Sequence, residues 1–167
     1  HGSDCWSSAG VWFERAETSW IHQCTCRSRA GKARTSICES CQAITGSTGK
    51  TTLKTLLGDI LNKYAKTYYS PRSFNNHYGV PLSLSNLDSE YNYGVFEVGM
   101  SRKGEIRRLS KLIKPDIAII TNIAEAHIEN FKNLKEIAMA KGEIIDNIKE
   151  KGTILINRDD KFFNYLN

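Results

Sequence analysis

No stretch of about 18 consecutive apolar residues occurs in this chain, and a run such as Ile117 to Ile120 is far too short for a membrane-crossing helix. No basic segment followed by an apolar one marks a secretory signal, and the chain opens on His1 rather than Met, so it reads as a fragment. Charge of one sign is also scarce in any one place. The net charge of +5 is spread along the chain without the basic cluster that tracks a phosphate backbone, which argues against nucleic acid as a partner. Only three of the 167 residues are proline, and 40% are hydrophobic, which excludes collagen-like or disordered architecture and leaves one globular core.

Other absences are local. Beyond Cys41 the chain has no cysteine and no tryptophan, whereas residues 1–42 hold all five Cys and all three Trp but no Asn, one of fourteen Lys and two of seventeen Ile. So abrupt a shift places a break near Gln42. Residues 1–42 are expected to be an unassigned segment, either a separate module or sequence read in a shifted frame. Ser36 to Gln42 supplies little apolar character for the strand that should precede a phosphate-binding loop. The pattern Cys24-x-Cys26 with Cys38-x-x-Cys41 has enough sulfurs for a tetrahedral zinc site, and paired disulfides or idle thiols explain it equally.

From Ala43 onward, strand-like and helix-like stretches alternate, which predicts an α/β fold built on a mostly parallel sheet flanked by helices. Ala43 to Thr45 reads as the end of a strand. Leu53, Leu56, Leu57, Ile60, Leu61 and Tyr64 then recur at helical spacing as one apolar stripe. Tyr93 to Val98 reads as a buried strand. Ile106, Leu109, Leu112 and Ile113 mark a helix stopped by Pro115, and Asp116 to Thr121 is the strongest strand. Leu134, Ile137, Ala138, Ile145 and Ile148 predict one further helix, and Thr153 to Ile156 a last strand. In such sheets the ligand lies at the carboxyl ends of the strands, where the loop at Gly46, Glu97, His127 and the loop at Asn157 converge.

Gly46-Ser47-Thr48-Gly49-Lys50-Thr51-Thr52 has the character of a phosphate-binding loop. Glycines let backbone N–H groups approach phosphate oxygens, Lys50 neutralises them, and the Thr51 hydroxyl can ligate magnesium. The generic motif sets a glycine at position 44, where this chain has Ile44. Glu97, at a strand end, has the chemistry of a metal ligand or of a solvated carboxylate. His127, in a loop after a strand, reads as a ligand or as a surface histidine. Lys141 is seven residues past Leu134 and four past Ile137, so it lies on the apolar stripe of its helix. Either its stem snorkels to water or its amine is desolvated and partly neutral.

Ala43 to Thr52, Ser73-Phe-Asn-Asn-His-Tyr-Gly-Val-Pro-Leu82, Phe96-Glu-Val-Gly-Met-Ser-Arg-Lys-Gly-Glu-Ile106, Thr121-Asn-Ile-Ala-Glu-Ala-His-Ile-Glu-Asn-Phe131 and Ala140-Lys-Gly-Glu-Ile144 together resemble the Mur ligase family. The branch they resemble joins D-alanyl-D-alanine to UDP-N-acetylmuramoyl-tripeptide. The stretches run in family order across 43–167, and the family's loop also lacks the first generic glycine. The resemblance implies that 43–167 is part of the central ATP-binding domain of a cytoplasmic, monomeric, ATP- and magnesium-dependent amide ligase of peptidoglycan precursor synthesis. It further implies that Gly46 to Thr52 bind ATP, with Lys50, His127 and Lys141 catalytic. Thr51, Glu97, His127 and Lys141 fall at metal-site positions, Lys141 being the lysine that CO₂ carbamylates, and Asn75 and Asn76 face the muramoyl-peptide. Another amino-acid ligase of the superfamily, such as a folylpolyglutamate synthase, and a non-catalytic nucleotide-binding module stay open as alternatives.

Overall fold

A computed structural model describes residues 38–125 and 130–167. Five strands form one sheet: β1 (Ser40–Thr45), β2 (Thr67–Tyr69), β3 (Tyr93–Glu97), β4 (Ile117–Ile120) and β5 (Thr153–Ile156), in the order β2-β3-β1-β4-β5. Every pairing is parallel, with Ala43 opposite Phe96 on one side and Ala118 on the other. Helices α1 (Lys50–Leu61), α2 (Gly79–Ser85), α3 (Glu105–Ile113), α4 (Leu134–Gly142) and α5 (Phe163–Leu166) connect or follow the strands. The expectation of an α/β fold built on a mostly parallel sheet flanked by helices holds. The chain leaves β1 toward β2 and β3 on one side and then crosses to β4 on the other. The carboxyl end of β1 is therefore the point where the winding reverses, and a crevice opens there.

Burial follows from the parallel topology, since a central strand is covered on both faces and reads as a continuous apolar run. Ala43, Ile44, Val95, Phe96 and Ala118 are fully buried. The compositional break at Gln42 falls inside β1. The strand starts at Ser40, although Ser36 to Gln42 looked too polar for one, because Cys38 and Cys41 are buried and serve as small apolar residues there. Their sulfurs are joined to each other, and together they make up one half of the four-sulfur pattern. Cys24 and Cys26 lie outside the described residues.

Two helix expectations need correction. The inward row of α1 is Lys54 and Gly58, while Leu56, Ile60 and Tyr64 of the anticipated apolar stripe are 56%, 43% and 82% exposed. Close approach of β2 sets this rotation. A Cβ on Gly58 would stand 2.4 Å from the Tyr69 ring, so only a residue without a side chain fits at that contact. The second correction concerns α4, which ends at Gly142; a separate 3₁₀ turn, Ile145–Asn147, carries the next apolar residue. Strand β2 and helix α2 had no clear signature in the sequence.

Candidate functional site

The loop between β1 and α1 is set by its glycines and by the exit of β4. Gly46 has φ 146°, and a Cβ on it would stand 1.9 Å from the Thr121 hydroxyl. Gly49 starts α1 in the left-handed region at φ 78°. Asn122 then fastens the loop: its carbonyl accepts from the Ser47 N–H at 3.0 Å, its side-chain oxygen accepts from the Thr48 N–H at 2.9 Å, and its side-chain amide donates to the Thr48 hydroxyl at 2.7 Å. The Ser47 hydroxyl donates to the Ala124 carbonyl at 2.8 Å and accepts from the Ala124 N–H at 2.9 Å. Two of the loop N–H groups are thus used internally. Those at the first turn of α1, which lack intrahelical partners, are the ones offered to an anion along with the positive end of the helix.

Lys50 folds over this loop, its ammonium donating to the Gly46 carbonyl at 2.9 Å and the Ser47 carbonyl at 3.4 Å. The next residue reaches across to β3. The Thr51 hydroxyl donates to Glu97 Oε2 at 2.8 Å, and Asn75 Nδ2 donates to Glu97 Oε1 at 2.7 Å. Glu97 is 1% exposed at the carboxyl end of β3, and Lys54 Nζ lies 3.9 Å from its Oε2. Lys54 also donates to the Arg72 carbonyl. Burial pushes its ammonium below the ordinary lysine value, and Glu97 pulls it partly back. The carboxylate so gathered is a hard oxygen donor beside the Thr51 hydroxyl, a pair suited to magnesium, which takes few carboxylates and completes its shell with phosphate oxygens and water. Among the described residues no cluster of three or more His, Cys, Asp and Glu offers a denser site.

Lys141 comes to the same place from α4. It is 3% exposed and faces the same cleft of about 690 Å³ as Gly46, Ser47 and Lys50. Burial lowers its pKa to about 8, with the nearby Lys50 charge as a smaller cause. The apolar-stripe position read from the sequence is therefore a desolvated one. Glu143, two residues on, turns the other way. Its carboxylate accepts from the Gly104 N–H at 2.9 and 3.0 Å and from the Arg107 N–H at 3.3 Å, which clamps the start of α3 to the end of α4.

Asn75 and Asn76 both line the cleft, but their side chains work differently. Asn75 holds Glu97, whereas Asn76 Oδ1 accepts from the N–H groups of Tyr78 and Gly79 at 3.1 and 2.9 Å and so starts α2. His127 lies outside the described residues. Sequence reasoning did not single out Lys54, Asn122, Arg102 or Arg108. The spacing of Lys54, four residues past Lys50 and therefore on the same face of α1 one turn on, was the one available signal for it.

Residues 44–167 match the family model described as Mur ligase middle domain. The UDP-N-acetylmuramoyl-tripeptide--D-alanyl-D-alanine ligase of Buchnera aphidicola subsp. Acyrthosiphon pisum is 43% identical over 121 residues, 72% of this chain and 27% of that protein. Among solved structures, MurF from Acinetobacter baumannii superposes with a TM-score of 0.75 at 38% identity, over 76% of this chain and 28% of that one. The MurF ligase from Thermotoga maritima in complex with ADP gives 0.68 at 35%, over 72% and 28%. The chain spans about a quarter of the length of the curated relatives it matches.

Proposed function

The chain belongs to the Mur ligase family through its middle domain, and from that premise we propose that it forms the nucleotide-binding part of an ATP-dependent amide ligase. The reaction proposed joins D-alanyl-D-alanine to UDP-N-acetylmuramoyl-tripeptide in peptidoglycan precursor synthesis, in the cytoplasm, with a monomeric enzyme. One observation carries the reading. At the reversal point of the sheet, Lys50 at the start of α1 and the desolvated Lys141 line one cleft, and Asn75 of the same lining holds the buried Glu97 that also accepts from Thr51.

In this reading an oxygen of the substrate's terminal carboxylate attacks the γ-phosphorus, the bond to the β–γ bridging oxygen breaks, and ADP leaves. The dipeptide amine then attacks the carbon of the acyl phosphate, and inorganic phosphate departs as the amine loses a proton. Negative charge builds on phosphate oxygens in the first step. Lys50 supports it by exchanging its present carbonyl partners, Gly46 and Ser47, for phosphate oxygens, while the first turn of α1 contributes its N–H groups. Thr51 and Glu97 would hold magnesium, which neutralises charge on the β and γ oxygens, and His127 is proposed beside them from the sequence. Asn75 keeps Glu97 aimed, and Asn76 fixes the turn that faces the muramoyl-peptide.

Lys141 is proposed to be carbamylated. A pKa of about 8 leaves a usable fraction of neutral amine near pH 7.5, whose nitrogen attacks CO₂ and releases a proton to water. The product is an anion, so the repulsion from Lys50 becomes attraction. The test is ligation by the protein that carries this chain, supplied with ATP, magnesium, the UDP-tripeptide and the dipeptide. Amide formation with one ADP per product is expected, and ATP hydrolysis independent of the tripeptide would contradict the reading.

A further inference from the structure

The inward row of α1 opens on a lysine. Lys54 is 1% exposed, next to Gly58 in that row, at a position where a leucine would bury apolar surface without desolvating a charge. An ammonium taken from water needs partners, and two are fixed around this one. Its Nζ donates to the Arg72 carbonyl and lies 3.9 Å from Glu97 Oε2. The carbonyl is itself held in place. Arg72 has φ 47°, in the left-handed region that a residue with a side chain enters at a cost, and the chain on either side is tied to β3 and its exit. Ser70 N–H donates to the Val95 carbonyl at 3.0 Å, and the Asn75 carbonyl accepts from the Gly99 N–H at 2.7 Å.

Glu97 has the converse need. Its carboxylate is 1% exposed, and its two side-chain hydrogen bonds come from the Thr51 hydroxyl and the Asn75 amide, neutral groups that bring no net positive charge. Lys54 brings one. Lys50, one turn earlier on the same face of α1, lines the cleft, whereas Lys54 is covered, so its charge reaches Glu97 without being offered to a ligand in the cleft. A magnesium ion held by Thr51 and Glu97 would add two positive charges to a carboxylate that already has one beside it. Like charges a few ångströms apart in a poorly hydrated place repel, and the ammonium cannot swing away while Arg72 holds it.

We propose that Lys54 is a positioning residue, a built-in counter-charge that compensates Glu97 while no metal is bound and so sets the magnesium concentration at which the nucleotide site fills. The proposal rests on the nucleotide-site reading and adds to it a dependence on free magnesium. A lysine with a purely structural part in α1 would give a different sign: its loss would loosen the site and weaken metal and nucleotide together.

The experiment titrates magnesium at fixed ATP, by calorimetry, into the protein that carries this chain. In Lys54→Met, which keeps length and removes the charge, the magnesium concentration for half-maximal ATP binding should fall by about tenfold or more. Lys54→Gln, neutral and still able to donate, is expected to lower it as well and takes the place of the methionine variant if circular dichroism shows that one unfolded. Lys54→Arg keeps a cation with donors there and should stay within about threefold of the wild type. A requirement that is unchanged or raised in the neutral variant, or that falls equally in Lys54→Arg, overturns the counter-charge and leaves the ligase reading standing. No magnesium-dependent ATP binding by the wild type overturns the nucleotide reading and the counter-charge with it.

Discussion

Replacing Lys141 by Met should stabilise the fold at neutral pH. The ammonium is 3% exposed, shares its cleft with Lys50, and has no carboxylate within ion-pair distance among the described residues. Its pKa drops from 10.5 to about 8, chiefly through burial and then through Lys50. At about 1.4 kcal/mol per pH unit this corresponds to a penalty on the order of 3 kcal/mol for folding with the amine charged. Below pH 8 both folded and unfolded chains carry the proton, so the penalty is fully present. Between pH 8 and 10.5 the unfolded chain binds a proton that the folded chain does not, so stability rises with pH and the penalty disappears. Methionine keeps length and volume without the charge. Urea unfolding in CO₂-free buffer should therefore find Lys141→Met about 3 kcal/mol more stable at pH 7, with the gap narrowing by about half at pH 9.5. A gap independent of pH, or a wild type more stable at pH 7, would refute the desolvation argument.

Three other outcomes follow from the site. Gly46→Ala should cost more than about 2 kcal/mol by thermal or urea unfolding, because φ 146° and a contact of 1.9 Å with the Thr121 hydroxyl both resist a Cβ. Glu97→Gln should raise the magnesium concentration needed for half-maximal ATP binding by about tenfold or more, read by calorimetry at fixed nucleotide; an unchanged requirement would remove Glu97 from the metal site. Bicarbonate labelled with ¹³C should give a carbamate carbon signal in the wild type at pH 8 that is missing in Lys141→Met, and a signal common to both would assign it elsewhere.

The sequence showed most clearly what depends on local chemistry. Gly46 to Thr52 was legible because glycines, a lysine and a threonine at that spacing leave few other uses, and Lys141 because helical period alone puts it on the buried face. Residues that act through tertiary contact were not legible. The orientation of α1 depends on Tyr69 packing against Gly58, so Leu53, Leu57 and Leu61 of the anticipated stripe are half-buried while Leu56, Ile60 and Tyr64 are turned outward. Asn122 holds the β1–α1 loop from 74 residues away, and nothing near it in sequence announces the partner. Strand β1 was underestimated because Cys41, fully covered, fills the role of a valine there.

The central claim is that the cleft at the end of β1 is a magnesium-nucleotide site organised by Lys50. Titration calorimetry of ATP with magnesium into the chain and into Lys50→Ala tests it most directly. The account predicts one site in the wild type and loss of at least about 100-fold in affinity in the variant, as expected for a cation that meets phosphate charge in a partly water-excluded cleft. Equal affinities in the two proteins would contradict it.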